Sequence, residues 1–121
     1  TMLSTADSQL WDDCAEQHDR YKATQKEHAD MADKDLHERV FGGRGSPQDF
    51  VDYRGLLEKR ASTMKREVRE RKKYIHMGCD KFDWFNTGTT QAEREADHRD
   101  HLENCSESIS NIYKLLNRLK P

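Results

Sequence analysis

A chain of 121 residues with 33% hydrophobic and 36% charged residues is one domain with a narrow core, suited to long amphipathic helices that each bury one stripe. A formal net charge of −2 means the chain as a whole is not basic, and no apolar run approaches the length of a membrane span. Three cysteines, Cys14, Cys79 and Cys105, do not make the even, dense framework of a disulfide-rich secreted domain. No signal peptide is visible, and Thr1-Met2 reads as a cloning remnant before an engineered start.

The first predicted helix runs from about Ser4 to Phe41. Its stripe is Leu10, Cys14, His18, Tyr21, His28, Met31, Leu36 and Val40, mostly at three- and four-residue steps and unusually polar. Gly42-Gly43-Arg44-Gly45 ends it, because consecutive glycines lose too much entropy to continue a helix. Ser46-Pro47-Gln48-Asp49 then offers a cap, a proline for the first helical position and an acid in the first turn. A second helix follows to about His76 on Phe50, Tyr53, Leu57, Ala61, Met64, Val68 and Ile75, with Arg71 interrupting the stripe. Thr90-Gln91-Ala92-Glu93 is a capping box, and the third helix carries His98, Leu102, Cys105, Ile109, Ile112, Tyr113, Leu116 and Leu119. No strand alternation or internal repeat appears. The expected fold is all-α: an antiparallel three-helix bundle of long helices, about 25–35 residues each, with one functional loop.

That loop spans about Tyr74 to Thr90. It packs His76, Cys79, Asp80, Asp83, Phe82, Trp84 and Phe85 between two helices, where a connection of two to eight residues would do. Charge is also unevenly placed: residues 42–76 hold ten basic and five acidic groups between two acidic flanks. Arg69, Arg71, Lys72 and Lys73 lead into the loop as an approach for phosphate, or else pair with the acidic helices on solvated faces. Up-down-up topology brings Cys14, His18, Arg71, Tyr74, His76, Cys79, Asp80, Asp83, Asp97, His98 and His101 to one pole.

Three constellations can be drawn there. Glu93, Asp97 and His101 repeat every four residues and stack oxygen and nitrogen donors on one face, suited with His76, Asp80 or Asp83 to Mg²⁺, Mn²⁺ or Zn²⁺; the competing reading is an exposed face paired to Arg94 and Arg99. His98, His101, Cys105 and Cys79 outline a Cys₂His₂ zinc site that lacks the usual short-spaced ligand pairs, so Cys105 reads first as core or as a disulfide partner of Cys79. His76 and His98 form a metal-free acid–base pair, with Arg71 or Lys73 stabilising a phosphorane. Gly42-Gly43-Arg44-Gly45 lacks the Lys-Ser/Thr of a phosphate-binding loop, and no serine elbow is present.

The block Gly78-Cys79-Asp80-Lys81-Phe82-Asp83-Trp84-Phe85-Asn86-Thr87-Gly88-Thr89-Thr90, followed by the helix from Gln91, resembles the C-terminal toxin modules of bacterial polymorphic toxins of the Rhs and type VI secretion kind. The resemblance covers about a third of the chain. It implies an antibacterial nuclease delivered into a target cell, acting in the cytoplasm and blocked by a cognate immunity protein. The His-x-x-Asp motif of one helical nuclease class in such systems is absent, since His76 is followed by Asp80. The catalytic candidates are then His76, Asp80, Asp83, His98 and His101, with Arg69, Arg71, Lys72, Lys73 and Trp84 binding nucleic acid. The alternative is a non-enzymatic helical interaction module, an immunity, adaptor or structural protein, that grips a partner through Trp84 and Phe85.

Overall fold

The computed structural model describes residues 4–119; Thr1-Met2, and the remnant reading placed on them, lie outside the described residues. The described residues form four α-helices and no strand: α1 Thr5–Asp30, α2 Lys34–Phe41, α3 Pro47–His76 and α4 Gln91–Arg118, with a 3-10 turn at Cys79–Lys81. The all-helical expectation is met. The helix count is four rather than three.

The extra helix comes from Asp33. Its backbone is extended and its carboxylate accepts the Leu36 amide at 2.9 Å, so it caps α2 and α1 ends at Asp30. A short acidic side chain that bonds nearby amides competes with helix continuation, and here it wins. The break lets Leu36 and Val40 pack onto α3.

The other boundaries follow their caps. Ser46 and Asp49 form a capping box at the start of α3, and Thr90 and Glu93 form one at the start of α4. Gly78 ends α3 in the left-handed region (φ 83°), a conformation that costs a residue with a Cβ about 1–2 kcal/mol. The 3-10 turn follows at once.

Helix α3 is the centre of the molecule. It packs against α1, α2 and α4, whereas the α1 and α4 backbones make no contact with each other. Two apolar clusters sit on it. Leu36, Val40, Tyr53, Leu57, Ala61, Met64, Ile112 and Leu116 form one; Cys14, Tyr21, Tyr74, Cys79 and Phe82 form the other. Between them along α3 come Glu67 and Arg71, 1% and 2% exposed, so the waist of the core is charged. The interruption of the apolar stripe at Arg71 marks this layer.

A disulfide closes the second cluster. Cys14 and Cys79 are bonded with both residues fully buried, tying α1 to the 3-10 turn across a sequence separation of 65. The alternative Cys79–Cys105 pair is not formed, and Cys105 is free. Cys105 lies on α4 beside the Glu67 carboxylate, at 3.4 Å, whereas Cys14 faces the turn that carries Cys79.

Candidate catalytic cleft

Because α1 and α4 meet α3 but not each other, a groove remains between them, and the segment after α3 closes one end. The resulting cleft of about 260 Å³ is lined by residues of all three helices and the loop. From α1 come His18, Tyr21 and Lys22; from α3, Arg71 and Tyr74; from α4, Arg94, Asp97, His98 and His101. The loop adds Asp80, Asp83, Trp84, Phe85, Thr87 and Thr89.

His98 is the hub. Its Nε2 lies 3.1 Å from Asp80 Oδ1 and its Nδ1 lies 3.0 Å from Arg71 Nη1. Arginine only donates, so Nδ1 accepts and the proton of the neutral ring sits on Nε2, pointing to Asp80. Arg71 Nε donates to Glu67 at 3.1 Å, and Glu67 reaches His28 Nε2 at 2.6 Å. A continuous chain, Asp80–His98–Arg71–Glu67–His28, thus runs from the cleft into the waist of the core. Tyr21 stacks its ring under the Arg71 guanidinium at 4.5 Å and sets its edge on His98.

Three atoms of this chain, His28 Nδ1, Arg71 Nη2 and Asp80 Oδ2, are buried with no hydrogen-bond partner among the described residues. Arg71 Nη2 is a donor and Asp80 Oδ2 an acceptor. Unpartnered buried groups are rare in proteins. Arg71 and Asp80 line the cleft, whereas His28 does not.

Burial shapes the titration of the rim. His18 is lowered below the ordinary imidazole value, chiefly by burial. His101 opens to solvent yet is lowered too, by partial desolvation and then by the Arg71 charge. Burial pushes the Tyr21 hydroxyl up to about 12 and raises Tyr74 strongly. For Glu67, burial raises the carboxyl, but the His28 hydrogen bond and the Arg71 charge outweigh it and leave the group lowered.

The loop is held by its own polar side chains. Asp83 accepts from the Thr87 and Gly88 amides at 3.0 and 2.9 Å and from the Thr87 hydroxyl. Arg94 donates to the carbonyls of Asp80 and Thr89. Trp84 donates from Nε1 to the Tyr74 hydroxyl at 2.6 Å and packs on Trp11 and Phe82. Phe85 is 74% exposed at the rim.

Of the residues singled out from sequence, the cleft gathers Asp80, Asp83, His98, His101, Arg71, Trp84 and Asp97. His76 stands apart: it is the exposed last residue of α3 and does not line the cleft. The His76–His98 pair is therefore replaced by His98 with Asp80 and Arg71. Arg69, Lys72 and Lys73 are exposed off the cleft, because neighbours of Arg71 in sequence fall on other faces of α3. Glu93 accepts the Thr90 amide at 3.1 Å as a cap, which takes it out of the stack with Asp97 and His101. Among the described residues no group of three His, Cys, Asp or Glu converges as metal ligands. Cys79 cannot join a zinc set, since its sulfur is bonded to Cys14.

Sequence reasoning placed His18 at this pole without giving it a role, read His28 only as part of the buried stripe, and passed over Lys22 and Glu67. A buried Glu67 four residues before Arg71 is the one signal that could have exposed the chain, as a helix pair on the apolar side. No protein family, curated protein or solved structure matches this chain.

Proposed function

We propose that this chain is the nuclease domain of an antibacterial effector, cleaving phosphodiesters in the cleft between α1 and α4. The observation that carries the reading is the convergence of His18, His98 and His101 with Arg71 and Lys22 in one cleft, from three helices that share no sequence neighbourhood. Histidines move protons near neutral pH, and the cations attract and stabilise phosphate charge. Phe85 and Trp84 supply aromatic faces on which a base stacks. The loop from Gly78 to Thr90 supports the effector assignment through its resemblance to toxin modules.

In this reading α1, α3 and α4 act as an antiparallel three-helix bundle with α2 as an added turn. The domain is delivered into a target bacterium and acts in its cytoplasm, where nucleic acid lies. A cognate immunity protein covers the cleft and seats on Phe85.

Expression in bacteria, in the cytoplasm and behind a periplasmic signal, tests it. Wild type should stop growth from the cytoplasm with loss of cellular nucleic acid, and His98→Ala should relieve it. Harmless expression from both compartments, with no cleavage by purified protein, would leave the interaction-module reading. That alternative is favoured by one observation, the exposure of Phe85, and it requires a partner whose capture is lost in Phe85→Ala.

A further inference from the structure

If the cleft is a phosphodiesterase, the source of its nucleophile decides its substrate. The protein side offers few candidates. Tyr74 shares its hydroxyl with Trp84, and burial keeps both Tyr21 and Tyr74 protonated. The Thr87 and Thr89 hydroxyls bond each other at 2.8 Å, with Asp83 and Arg94 as further partners. Cys14 and Cys79 are consumed in a disulfide, and the Cys105 thiol, pushed up to about 11 by burial, does not line the cleft. No lining hydroxyl or thiol is both free and activated, so a nucleophile carried by the substrate is the one the cleft is suited to use.

Proton transfer has clearer candidates. His98 has both ring nitrogens engaged, by Asp80 and Arg71, and serves to hold them. His18 and His101 are differently placed. They enter the same cleft from α1 and α4, neither bonds Asp80 or Arg71, and both feel the charge of Lys22 and the ring of His98.

We infer that the cleft cleaves RNA rather than DNA, using the ribose 2′-hydroxyl as nucleophile and His18 and His101 as the pair that moves its protons. This rests on the phosphodiesterase reading above. One imidazole takes the proton from the 2′-hydroxyl as its oxygen bonds to phosphorus. The bond from phosphorus to the 5′-oxygen breaks, and the other, protonated imidazole gives its proton to that leaving oxygen. The products are a 2′,3′-cyclic phosphate and a 5′-hydroxyl, with no oxidant or co-reactant needed. An attacking group already tethered beside phosphorus enjoys an effective molarity on the order of 10⁵ M or more, which is why the protein need not supply one. Lys22 and Arg71 are the cations placed to meet the phosphorane charge.

The experiment compares three labelled oligonucleotides of one sequence, each both with Mg²⁺ and in excess EDTA: all-RNA, all-DNA, and RNA with a 2′-O-methyl group at the cleaved position. Cleavage of RNA alone, with a cyclic phosphate end and none at the methylated position, is expected. His18→Ala and His101→Ala should each lower the rate on the order of 10²-fold or more with an unchanged circular dichroism spectrum. Cleavage of DNA at a comparable rate, or abolition by EDTA, overturns the inference while leaving a nuclease. Failure to cut either nucleic acid under both conditions overturns the nuclease reading and this inference with it. If either alanine variant loses its helical signal, His18→Asn or His101→Asn replaces it under the same criterion.

Discussion

Asp80 and His98 meet at 3.1 Å with side chains only 3% and 12% exposed, so a turn after α3 and the first half of α4 are joined by a polar contact that water barely reaches. Removing the acceptor leaves the His98 Nε2–H buried without a partner. Asp80→Ala should cost about 1–3 kcal/mol, and Asp80→Asn less because an amide oxygen still accepts. Urea unfolding of the two variants checks this. Equal losses would mean that the contact between Asp80 and His98 is not the source of the stability.

Glu67 answers three partners at once: Arg71, His28 and Cys105. Glu67→Ala strands a buried guanidinium and should cost about 3–5 kcal/mol. Replacing both Glu67 and Arg71 with Met should cost distinctly less, since no uncompensated charge is left. A double variant worse than the single one would overturn the account of the charged waist.

The Cys14–Cys79 bond closes a long loop, for which chain-entropy arguments give about 4 kcal/mol. The Cys14→Ser, Cys79→Ser variant should lose stability on that order in denaturant. Cys105→Ser should keep the disulfide, as mass spectrometry after thiol labelling would report. A bond between Cys79 and Cys105 in wild type would contradict the assignment.

Acidification should weaken the fold in two windows. His18 and His101 are lowered in the folded chain, so the unfolded chain takes up protons first as pH falls below the ordinary histidine value. Their contribution is complete above that value and is lost as pH falls through their lowered values. Lys22 and His98 reinforce the shift of both rings, Arg71 that of His101, while Asp19 and Glu67 oppose it. Glu67 is lowered as a carboxyl, so its contribution goes in a second window below the ordinary glutamate value. Thermal midpoints from pH 7 to 5 should fall, and the fall should flatten in His18→Gln, His101→Gln.

The two neighbouring loop aromatics should separate cleanly. Trp84 is half-buried and bonded to Tyr74, so Trp84→Ala should cost about 2–3 kcal/mol, less than a fully buried Trp. Phe85 touches mainly solvent, and Phe85→Ala should stay within about 0.5 kcal/mol while weakening oligonucleotide binding. A destabilised Phe85 variant with unchanged binding would reverse these roles.

What the sequence made legible was local. The caps at Ser46 and Thr90 and the break near Gly78 are written in adjacent residues, and the structure starts α3 and α4 at the first two and ends α3 at the third. The break at Asp33 was missed because the apolar spacing runs on through it, and the competing carboxylate bond leaves no mark on that spacing. The pole was legible from topology, yet its inner wiring was not. Whether Arg71 turns inward while Lys72 and Lys73 turn outward depends on which face of α3 is shared by α1 and α4. His76 misled because a histidine at a helix end looks available, and its direction follows from the chain's exit through Gly78.

The disulfide divides the molecule topologically. Everything from Cys14 to Cys79, including α2, all of α3 and the second half of α1, lies within one covalent ring, while α4 hangs outside it. A protease that nicks the chain between α1 and α2 leaves both pieces joined and the fold closed. One cut among the exposed residues Phe85 to Gly88 is different, because no covalent bond other than the severed backbone ties α4 to the rest. That cut would leave a helix carrying His98 and His101 attached by packing alone, so the half of the cleft on α4 is the half that limited proteolysis can detach.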